Sequence, residues 1–352
     1  MQQPVLWNVT AETVKFFLER WKDARKLPGL RVLLTGAGTS AYAAASIAAA
    51  WPGAVSVPTT DLLLDTERHI SCVDLVISLA RSGDSPESAA VVARIRVLRP
   101  SLCQLAIVCN EDGALSRSEL DGVILLDPRT NDRSLVMTSA FSNLVLAGLM
   151  LAHAEGVEED VKKLSSRAKA LLPLMDSACK GAARSIVDRV AVLSSSPMIG
   201  WRCEAALKML EATAGRIPVL AESFLGLRHG PMSFIKSDTF VLCLFSSDPV
   251  RRLYELDLVQ ELRAKKLGHL VGIGGAKEWK DTLHGEIPVV AGDTPDTIRT
   301  PFEIIGPQLL AYYVSLRVGL NPDNPSPDGV INRVVQSVKI HSANGKAANQ
   351  GN

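Results

Sequence analysis

The sequence predicts an α/β protein built from two doubly wound parallel sheets. Short apolar runs, typical of strands buried on both faces, alternate with helical segments along most of the chain. Loops rich in serine and glycine follow several of these runs. The order of strand, polar loop and helix occurs in both halves, which indicates two copies of one α/β unit. The 352 residues are enough for two domains of ordinary size.

The predicted organisation has four parts. An apolar stripe at helical spacing predicts an N-terminal helix over 9–28, which Pro28 and Gly29 end. The parts are residues 1–28 with this helix, a first α/β domain over 29–160, a second over 161–320, and a proline-rich arm and tail over 321–352.

Ten strands and five further helices are expected. The predicted strands are 32–34, 55–57, 74–80, 104–109 and 122–126 in the first half, and 189–194, 217–220, 239–245, 270–273 and 287–290 in the second. The predicted helices run from residue 41 to 51, from 88 to about 98, and over 141–154, 161–174 and 204–214.

Composition excludes several classes of function. The net charge is +1 and there is no basic block, so nucleic acid and anionic membranes are not expected partners. The longest apolar stretch, Leu144 to Ala152, is much shorter than the roughly 20 residues of a membrane span, and the first residues do not resemble a signal peptide. Six scattered cysteines without a C-x-x-C motif favour a reducing compartment, so we expect a cytoplasmic protein. No metal-ligand spacing occurs, and we expect neither a metal nor a cofactor.

The loop Thr35 to Ser40 joins the first strand to an alanine-rich helix. Backbone N–H groups near Gly38, the hydroxyls of Thr39 and Ser40, and the positive end of the helix dipole would all face whatever lies above the helix N-terminus. Such a place is suited to an anion, most often a phosphate.

A second polar loop, Ser82-Gly83-Asp84-Ser85, follows the strongest strand. Carboxyl ends of parallel strands meet at one edge of a sheet, so both loops can grip one dianion. The alternative for each loop is ordinary turn chemistry, with Ser85 as a helix cap.

The first loop also fits a dinucleotide fingerprint. Gly36-x-Gly38-x-x-Ala41 is followed about twenty residues later by Asp61, which keeps an NAD-dependent dehydrogenase as an alternative. Hydroxyls in both loops suit a terminal phosphate better than a closely apposed pyrophosphate, which favours the first interpretation.

Three charges on one helix are the candidates for chemistry. Glu204, Lys208 and Glu211 lie at i, i+4 and i+7 and project from one narrow stripe on an otherwise apolar helix. A stripe this narrow is expected to face a cavity inside the protein, where carboxylates become candidate general bases. The alternative is a surface Glu204–Lys208 pair without function.

Among six histidines, His229 has the setting of a catalytic group. It precedes Gly230-Pro231 on a sharp loop, where a neutral imidazole can move a proton. The other five histidines are expected to be packing or surface residues.

Together these motifs resemble those of the double sugar-isomerase (SIS) domain family. The resemblance rests on 36–40, 80–88, 130–141, 204–211, 221–231 and 319–325 and covers nearly the whole chain. The sequence is similar to the isomerase half of glucosamine-6-phosphate synthase, and most similar to the branch of galactosamine-6-phosphate deaminases and tagatose-6-phosphate isomerases. The resemblance implies two tandem SIS domains, each a flavodoxin-like three-layer αβα unit. It also implies conversion of galactosamine 6-phosphate to tagatose 6-phosphate and ammonia.

The resemblance also implies roles for individual residues. The phosphate of the sugar is expected on Gly38, Thr39, Ser40, Ser82, Gly83 and Ser85. Glu211 matches the enolisation base and His229 the ring-opening histidine, which the neighbouring subunit supplies, so a homodimer or larger assembly is expected. Glu204 and Lys208 match charged residues that line the site.

The tail residue that completes the site and the exact reaction stay open. The synthase has a tail lysine at about the position of Gln336, and Arg333 and Lys339 are the nearby cations. With no glutamine-hydrolysing domain in this sequence, full synthase activity is not expected. A tagatose-6-phosphate aldose–ketose isomerase, a glucosamine-6-phosphate deaminase and a non-catalytic sugar-phosphate sensor are the alternatives.

Overall fold

The computed structural model describes residues 2–22, 24–153, 157–274, 281–335 and 338–341. In these ranges the chain forms two parallel five-stranded sheets flanked by helices, as the sequence predicted.

The first sheet has the strand order β2-β1-β3-β4-β5, and every pair in it is parallel. This is the flavodoxin order and not the 3-2-1-4-5-6 order of the dinucleotide-binding fold. Its strands are β1 (Val32–Gly36), β2 (Val55–Pro58), β3 (Leu75–Ala80), β4 (Cys103–Val108) and β5 (Gly122–Leu125).

The second sheet has the same order counted within its own half, β10-β9-β8-β6-β7, again with parallel pairs throughout. Its strands are β6 (Val190–Ser194), β7 (Val219–Glu222), β8 (Phe240–Leu244), β9 (His269–Ile273) and β10 (Gly285–Ile287).

The helices are α1 (Gln3–Arg20), α2 (Thr39–Ala48), α3 (Thr59–Leu64), α4 (Thr66–Ile70), α5 (Pro86–Leu98), α6 (Ser139–Leu151), α7 (Val157–Ala182), α8 (Ile199–Ala212), α9 (Pro249–Ala264), α10 (Asp296–Glu303) and α11 (Ile305–Arg317). Short 3-10 segments lie at Ala24–Gly29, Pro128–Thr130, Ala183–Ser185, Gly226–His229 and Pro231–Phe234.

Alternation along the strands decides how the layers stack. In β1, Val32 and Leu34 belong to one large apolar core that also includes residues of the second sheet, whereas Leu33 packs with α3 and α5 on the opposite face. Successive side chains of a strand point to opposite faces, so both faces of the sheet are covered. The middle layer of helices, which includes α2, α6 and α8, therefore lies between the two sheets and shares one core with both.

A glycine sets the distance between α2 and α8. A Cβ added at Gly200 would lie 2.0 Å from Ser46 Oγ and 2.5 Å from the Tyr42 carbonyl oxygen. The two helices touch backbone to backbone at this point, which brings the first turn of α2 against the charged stripe of α8.

Several element predictions were wrong. The helices α3, α4, α9, α10 and α11 were not predicted, and α7 covers Val157–Ala182 and not 161–174. The first helix covers Gln3–Arg20 and not 9–28, because Pro4 fits the first turn of a helix and Pro28 lies in a separate 3-10 segment. The helix with the three charges begins five residues earlier than predicted, at Ile199. The last strand ends at Ile287, since the N–H groups of Val290 and Ala291 donate to the Glu303 carboxylate and cannot pair with a strand.

The predicted domain boundaries at 28, 160 and 320 stay predictions. Much of the predicted tail, residues 342–352, lies outside the described part of the chain.

Candidate active site

The loop after β1 lies at the carboxyl edge of the first sheet, as predicted for an anion site. Gly38 has φ +55°, a left-handed conformation that glycine adopts without strain, and α2 begins at the next residue. Thr39 and Ser40 are therefore in the first turn of α2. The Ser40 N–H donates to the Ala37 carbonyl at 3.1 Å, which leaves the N–H groups before it, such as that of Thr39, to face a ligand. This is the arrangement that the sequence predicted for a phosphate.

The loop after β3 lies beside it. Gly83 has φ +74°, which lets the chain reverse between Ser82 and the start of α5. Ser85 precedes α5, but its hydroxyl makes no capping hydrogen bond. The alternative that Ser85 serves only as a helix cap is therefore not supported.

One cleft of about 370 Å³ joins these loops to the charged helix. All six residues predicted to bind the phosphate border it, and so does Glu211 of α8. Residues 330–335, which we call the strap, border the same cleft from the far end of the chain. The six residues are Gly38, Thr39, Ser40, Ser82, Gly83 and Ser85.

Arg81 is a cleft residue that the sequence reasoning missed. Its guanidinium is almost fully buried and donates to the carbonyls of Ser134, Leu135 and Arg333, the last at 2.6 Å. Burial and the nearby Arg333 charge lower the pKa of Arg81 to about 10, so it stays charged at neutral pH. An arginine directly after the buried strand β3 was the available signal, since a charge there needs a reason.

Arg333 forms a second set of hydrogen bonds between the strap and the first half of the chain. Its guanidinium donates to the Asn131 side chain at 2.5 Å and to the Asp132 carbonyl at 2.9 Å. Each arginine thus fastens the strap to the first half of the chain. Among the described residues neither Arg81 nor Arg333 forms an ion pair with a carboxylate. The cleft therefore carries two cations that an anionic ligand would neutralise.

The stripe on α8 forms a buried cluster. Lys208 Nζ lies 2.6 Å from Glu211 Oε2, 3.3 Å from Glu204 Oε1 and 3.0 Å from the Thr39 hydroxyl oxygen. Glu204 and Lys208 are fully buried, and the Glu211 side chain is 22% exposed, toward the cleft that it borders. The alternative of a surface ion pair is therefore wrong.

The Thr39 hydroxyl has a different partner from the one predicted. It accepts from Lys208 and lies 3.4 Å from Glu204 Oε1, to which it donates. What Thr39 can offer an anion is therefore its backbone N–H, while its side chain connects the phosphate loop to the charged helix.

Burial controls protonation in this cluster. Burial of the Glu204 carboxyl raises its pKa to about 8, against the attraction of Lys208. Its Oε2 atom is buried without a hydrogen-bond partner, which also disfavours the charged form. Burial opposes the Lys208 ammonium too, but Glu204 and Glu211 outweigh it and raise the pKa of Lys208. The Lys208 ammonium lies closest to Glu211, the member of the cluster that reaches the cleft.

His229 lies elsewhere. It ends the 3-10 turn Gly226–His229, which buried Phe224 and Leu227 anchor, and its own side chain is exposed. It does not border the cleft of its own chain. Supply of His229 from a second copy, and the homodimer that this requires, stay predictions.

The three candidate tail residues differ in their position relative to the cleft. Arg333 borders the cleft. Lys339 is exposed and does not border it, and Gln336 lies outside the described residues.

At the corresponding edge of the second sheet, the serine side chains donate to carboxylates of the same chain. Ser195 Oγ donates to Glu255 at 2.5 Å, and the Ser246 N–H donates to the same carboxylate at 2.8 Å. The Ser246 and Ser247 hydroxyls both donate to buried Asp296. These serines already bind carboxylates, so within the described ranges the first sheet carries the hydroxyl-rich edge that is open to a ligand.

The remaining alternatives find little support in the geometry. Asp61 of the dinucleotide fingerprint lies exposed on α3 and does not border the cleft. In the part of the chain that the structure describes, no three His, Cys, Asp or Glu residues cluster as a metal site would require. Nor does any helix there have the length and apolarity to cross a membrane.

Two flavodoxin-ordered sheets, serine loops at one sheet edge and a buried Glu–Lys–Glu cluster facing the same cleft define a SIS-type phosphosugar protein, the class that the motifs resemble. No protein-family model matches the chain.

Individual relatives are more informative. The chain is 36% identical to an AgaS protein of Streptomyces coelicolor, over 97% of this chain and 94% of that one. It is 34% identical to the D-galactosamine-6-phosphate deaminase AgaS of Shewanella sp., over 97% of this chain and 90% of the relative. The crystal structure of tagatose-6-phosphate ketose/aldose isomerase from Escherichia coli matches with a TM-score of 0.84 and 29% identity, covering 94% of each chain. The chain belongs to the AgaS family.

Proposed function

We propose that this protein is an amino-sugar phosphate deaminase/isomerase that converts galactosamine 6-phosphate to tagatose 6-phosphate and ammonia. The observation that carries the proposal is one cleft bordered both by the two serine loops and by Glu211. The names of its relatives, a deaminase at 34% identity and an isomerase at 29%, support the same substrate class.

The loops fix the substrate. The 6-phosphate binds to backbone N–H groups at the start of α2 and to the hydroxyls of Ser40, Ser82 and Ser85, with Arg81 and Arg333 supplying positive charge. Holding the phosphate in this way places C1 and C2 of the open sugar toward the α8 end of the cleft, where Glu211 lies.

Glu211 performs the proton transfer. It takes the C2 proton of the open-chain amino aldose, giving an enolamine, and returns the proton at C1 to form a ketimine at C2. Water adds to C2, the C2–N bond breaks, and ammonia leaves with the ketose phosphate. Lys208, 2.6 Å from Glu211, orients its carboxyl group toward the cleft during both transfers. His229 of a second copy is the proposed group for ring opening, which moves a proton between O1 and O5.

Ammonia release is the direct test. Purified protein is incubated with galactosamine 6-phosphate, glucosamine 6-phosphate and unphosphorylated galactosamine, and ammonia and ketose are measured. We expect both products from the first sugar at the highest kcat/KM and none from the third. A faster reaction with glucosamine 6-phosphate supports the gluco alternative. Interconversion of galactose 6-phosphate and tagatose 6-phosphate without ammonia release from either amino sugar supports a plain isomerase. Binding without turnover supports the sensor.

The base assignment is tested by Glu211→Gln, which keeps size and removes the base. We expect turnover to fall by roughly 10²–10⁴-fold with product binding retained. Glu119→Gln, at a side chain that is 83% exposed on another part of the surface, is the matched control. Retention of more than a tenth of wild-type turnover would show that Glu211 is not the base.

The shared site is tested by mixing two inactive proteins. Glu211→Gln and His229→Gln homo-oligomers are combined under conditions that exchange subunits. A site built from two copies regains part of the activity in the mixture, because a mixed pair contains one intact site. No recovery after proven exchange would place both residues in one chain's site or remove His229 from it.

A further inference from the structure

A thin wall separates the cleft from a second cavity behind it. The wall is the segment 134–138, which precedes α6. Leu135 and Met137 border the cleft, whereas Ser134, Val136 and Thr138 border the rear cavity. Successive residues of this segment thus border the two spaces in turn.

The rear cavity also adjoins the charged cluster. It has a volume of about 120 Å³ and is bordered by Lys208 and Ala212 of α8 and by Ala311 of α11. Lys208 touches Glu211, which borders the cleft on the other side. Between the proposed base and the rear cavity there is therefore one lysine side chain.

The rear cavity continues outward. Thr138, Gln308 and Tyr312 border both it and an outer cavity of about 480 Å³, and Tyr312 is 45% exposed. Gln308 lies at the junction, where its amide donates to the Thr138 carbonyl at 3.1 Å. The two cavities therefore adjoin, and together they extend from the rear of Lys208 to the surface at Tyr312.

We propose that this rear passage carries water to, and ammonia away from, the C2 end of the substrate. The proposal rests on the proposed deaminase function, in which one water enters and one ammonia leaves for each C2–N bond broken. In that reaction the sugar phosphate fills the cleft and the strap borders it, so the front route is blocked during turnover. The rear cavity has room for several water molecules, each of which takes up roughly 30 Å³ in the liquid, and polar groups of Ser134 and Thr138 can bind them.

A plug at the junction tests the passage. Gln308→Phe fills the junction between the rear cavity and the outer cavity, and Gln308→Ala widens it. Leu316→Phe, at an exposed position of the same helix that borders neither cavity, is the matched control. For each protein the kcat of ammonia release and the Kd of tagatose 6-phosphate are measured.

We expect Gln308→Phe to lower kcat at least tenfold while the Kd stays within twofold of wild type. Gln308→Ala and Leu316→Phe should keep both values. Ammonia release at the wild-type rate from a Gln308→Phe protein that folds and binds product would overturn the proposal.

A labelling experiment tests for the rear passage with a readout that does not depend on enzyme activity. The thiol of an Ala311→Cys variant is treated with methyl methanethiosulfonate while saturating inorganic phosphate occupies the cleft, and modified peptides are identified by mass. We expect this thiol to react faster than buried Cys243, and Gln308→Phe in the same chain to suppress the reaction. Reaction no faster than that of Cys243 would show that there is no rear passage. No ammonia release by the wild-type protein, together with the expected labelling of the Ala311→Cys variant, would contradict the proposed function and leave the passage standing.

Discussion

Replacing Lys208 by methionine should strongly destabilise the protein. The ammonium is fully buried and contacts Glu204, Glu211 and the Thr39 hydroxyl within 3.3 Å. Methionine fills a similar volume but leaves two carboxyls in a buried site without a cation. Breaking a buried ion pair from one side costs about 3–5 kcal/mol, and we expect the free energy of unfolding at pH 7 to fall by that amount.

The matched variant is Glu204→Gln. It removes the second carboxyl, keeps an oxygen that accepts from Lys208, and leaves the Lys208–Glu211 pair intact. We therefore expect a change of less than about 1 kcal/mol. Urea unfolding of the three proteins, followed by circular dichroism, gives the comparison.

The pH dependence of the free energy of unfolding shows whether the charges of this cluster cause the loss of stability. The folded-state pKa of Glu204, about 8, lies above its unfolded value near 4.5, so between these pH values the folded state holds a proton that the unfolded state has lost. The free energy of unfolding contributed by this group therefore falls as pH rises from about 5 to 8 and is level above that range. Glu204→Gln should remove this decline, and Lys208→Met should extend it to higher pH.

Two results would refute this reasoning. A loss of less than 1 kcal/mol for Lys208→Met would mean that the cluster is not electrostatically coupled. An equal loss for Glu204→Gln and Lys208→Met would mean that packing, and not charge, determines the stability of this region.

Two further substitutions test other parts of the site. Gly200→Ala places a methyl group 2.0 Å from Ser46 Oγ and 2.5 Å from the Tyr42 carbonyl oxygen, so it should lower the free energy of unfolding by about 1–3 kcal/mol. Thermal unfolding measures the effect, and an unchanged Tm would contradict the close contact of α2 and α8. Arg81→Met removes the charged donor that holds the Arg333 carbonyl, and the loss of charge-assisted bonds worth about 1.5–3 kcal/mol should raise KM roughly 10–100-fold and speed tryptic cleavage after Arg333. Unchanged KM and unchanged cleavage would remove Arg81 from the site.

Much of the fold could be predicted because its signals are local. The near-continuous apolar run of β3 indicates a strand buried on both faces, and the structure buries every residue of it. The i, i+4, i+7 spacing of Glu204, Lys208 and Glu211 places them on one side of any helix, whatever surrounds it. Glycine and serine after β1 and β3 predicted both halves of the anion site for the same reason.

Tertiary structure decided how these pieces meet. The sequence alone could not show that the Thr39 hydroxyl bonds with Lys208, 169 residues away, or that Arg81 fastens the strap at Arg333, 252 residues away. It also could not show that acids of the second half fill the second serine-rich edge. Such contacts depend on how closely distant segments pack, here on the backbone contact at Gly200, and burial then sets the charge of Glu204. Periodicity along the chain determines the elements, while packing across it determines which groups share one cleft and how they are protonated.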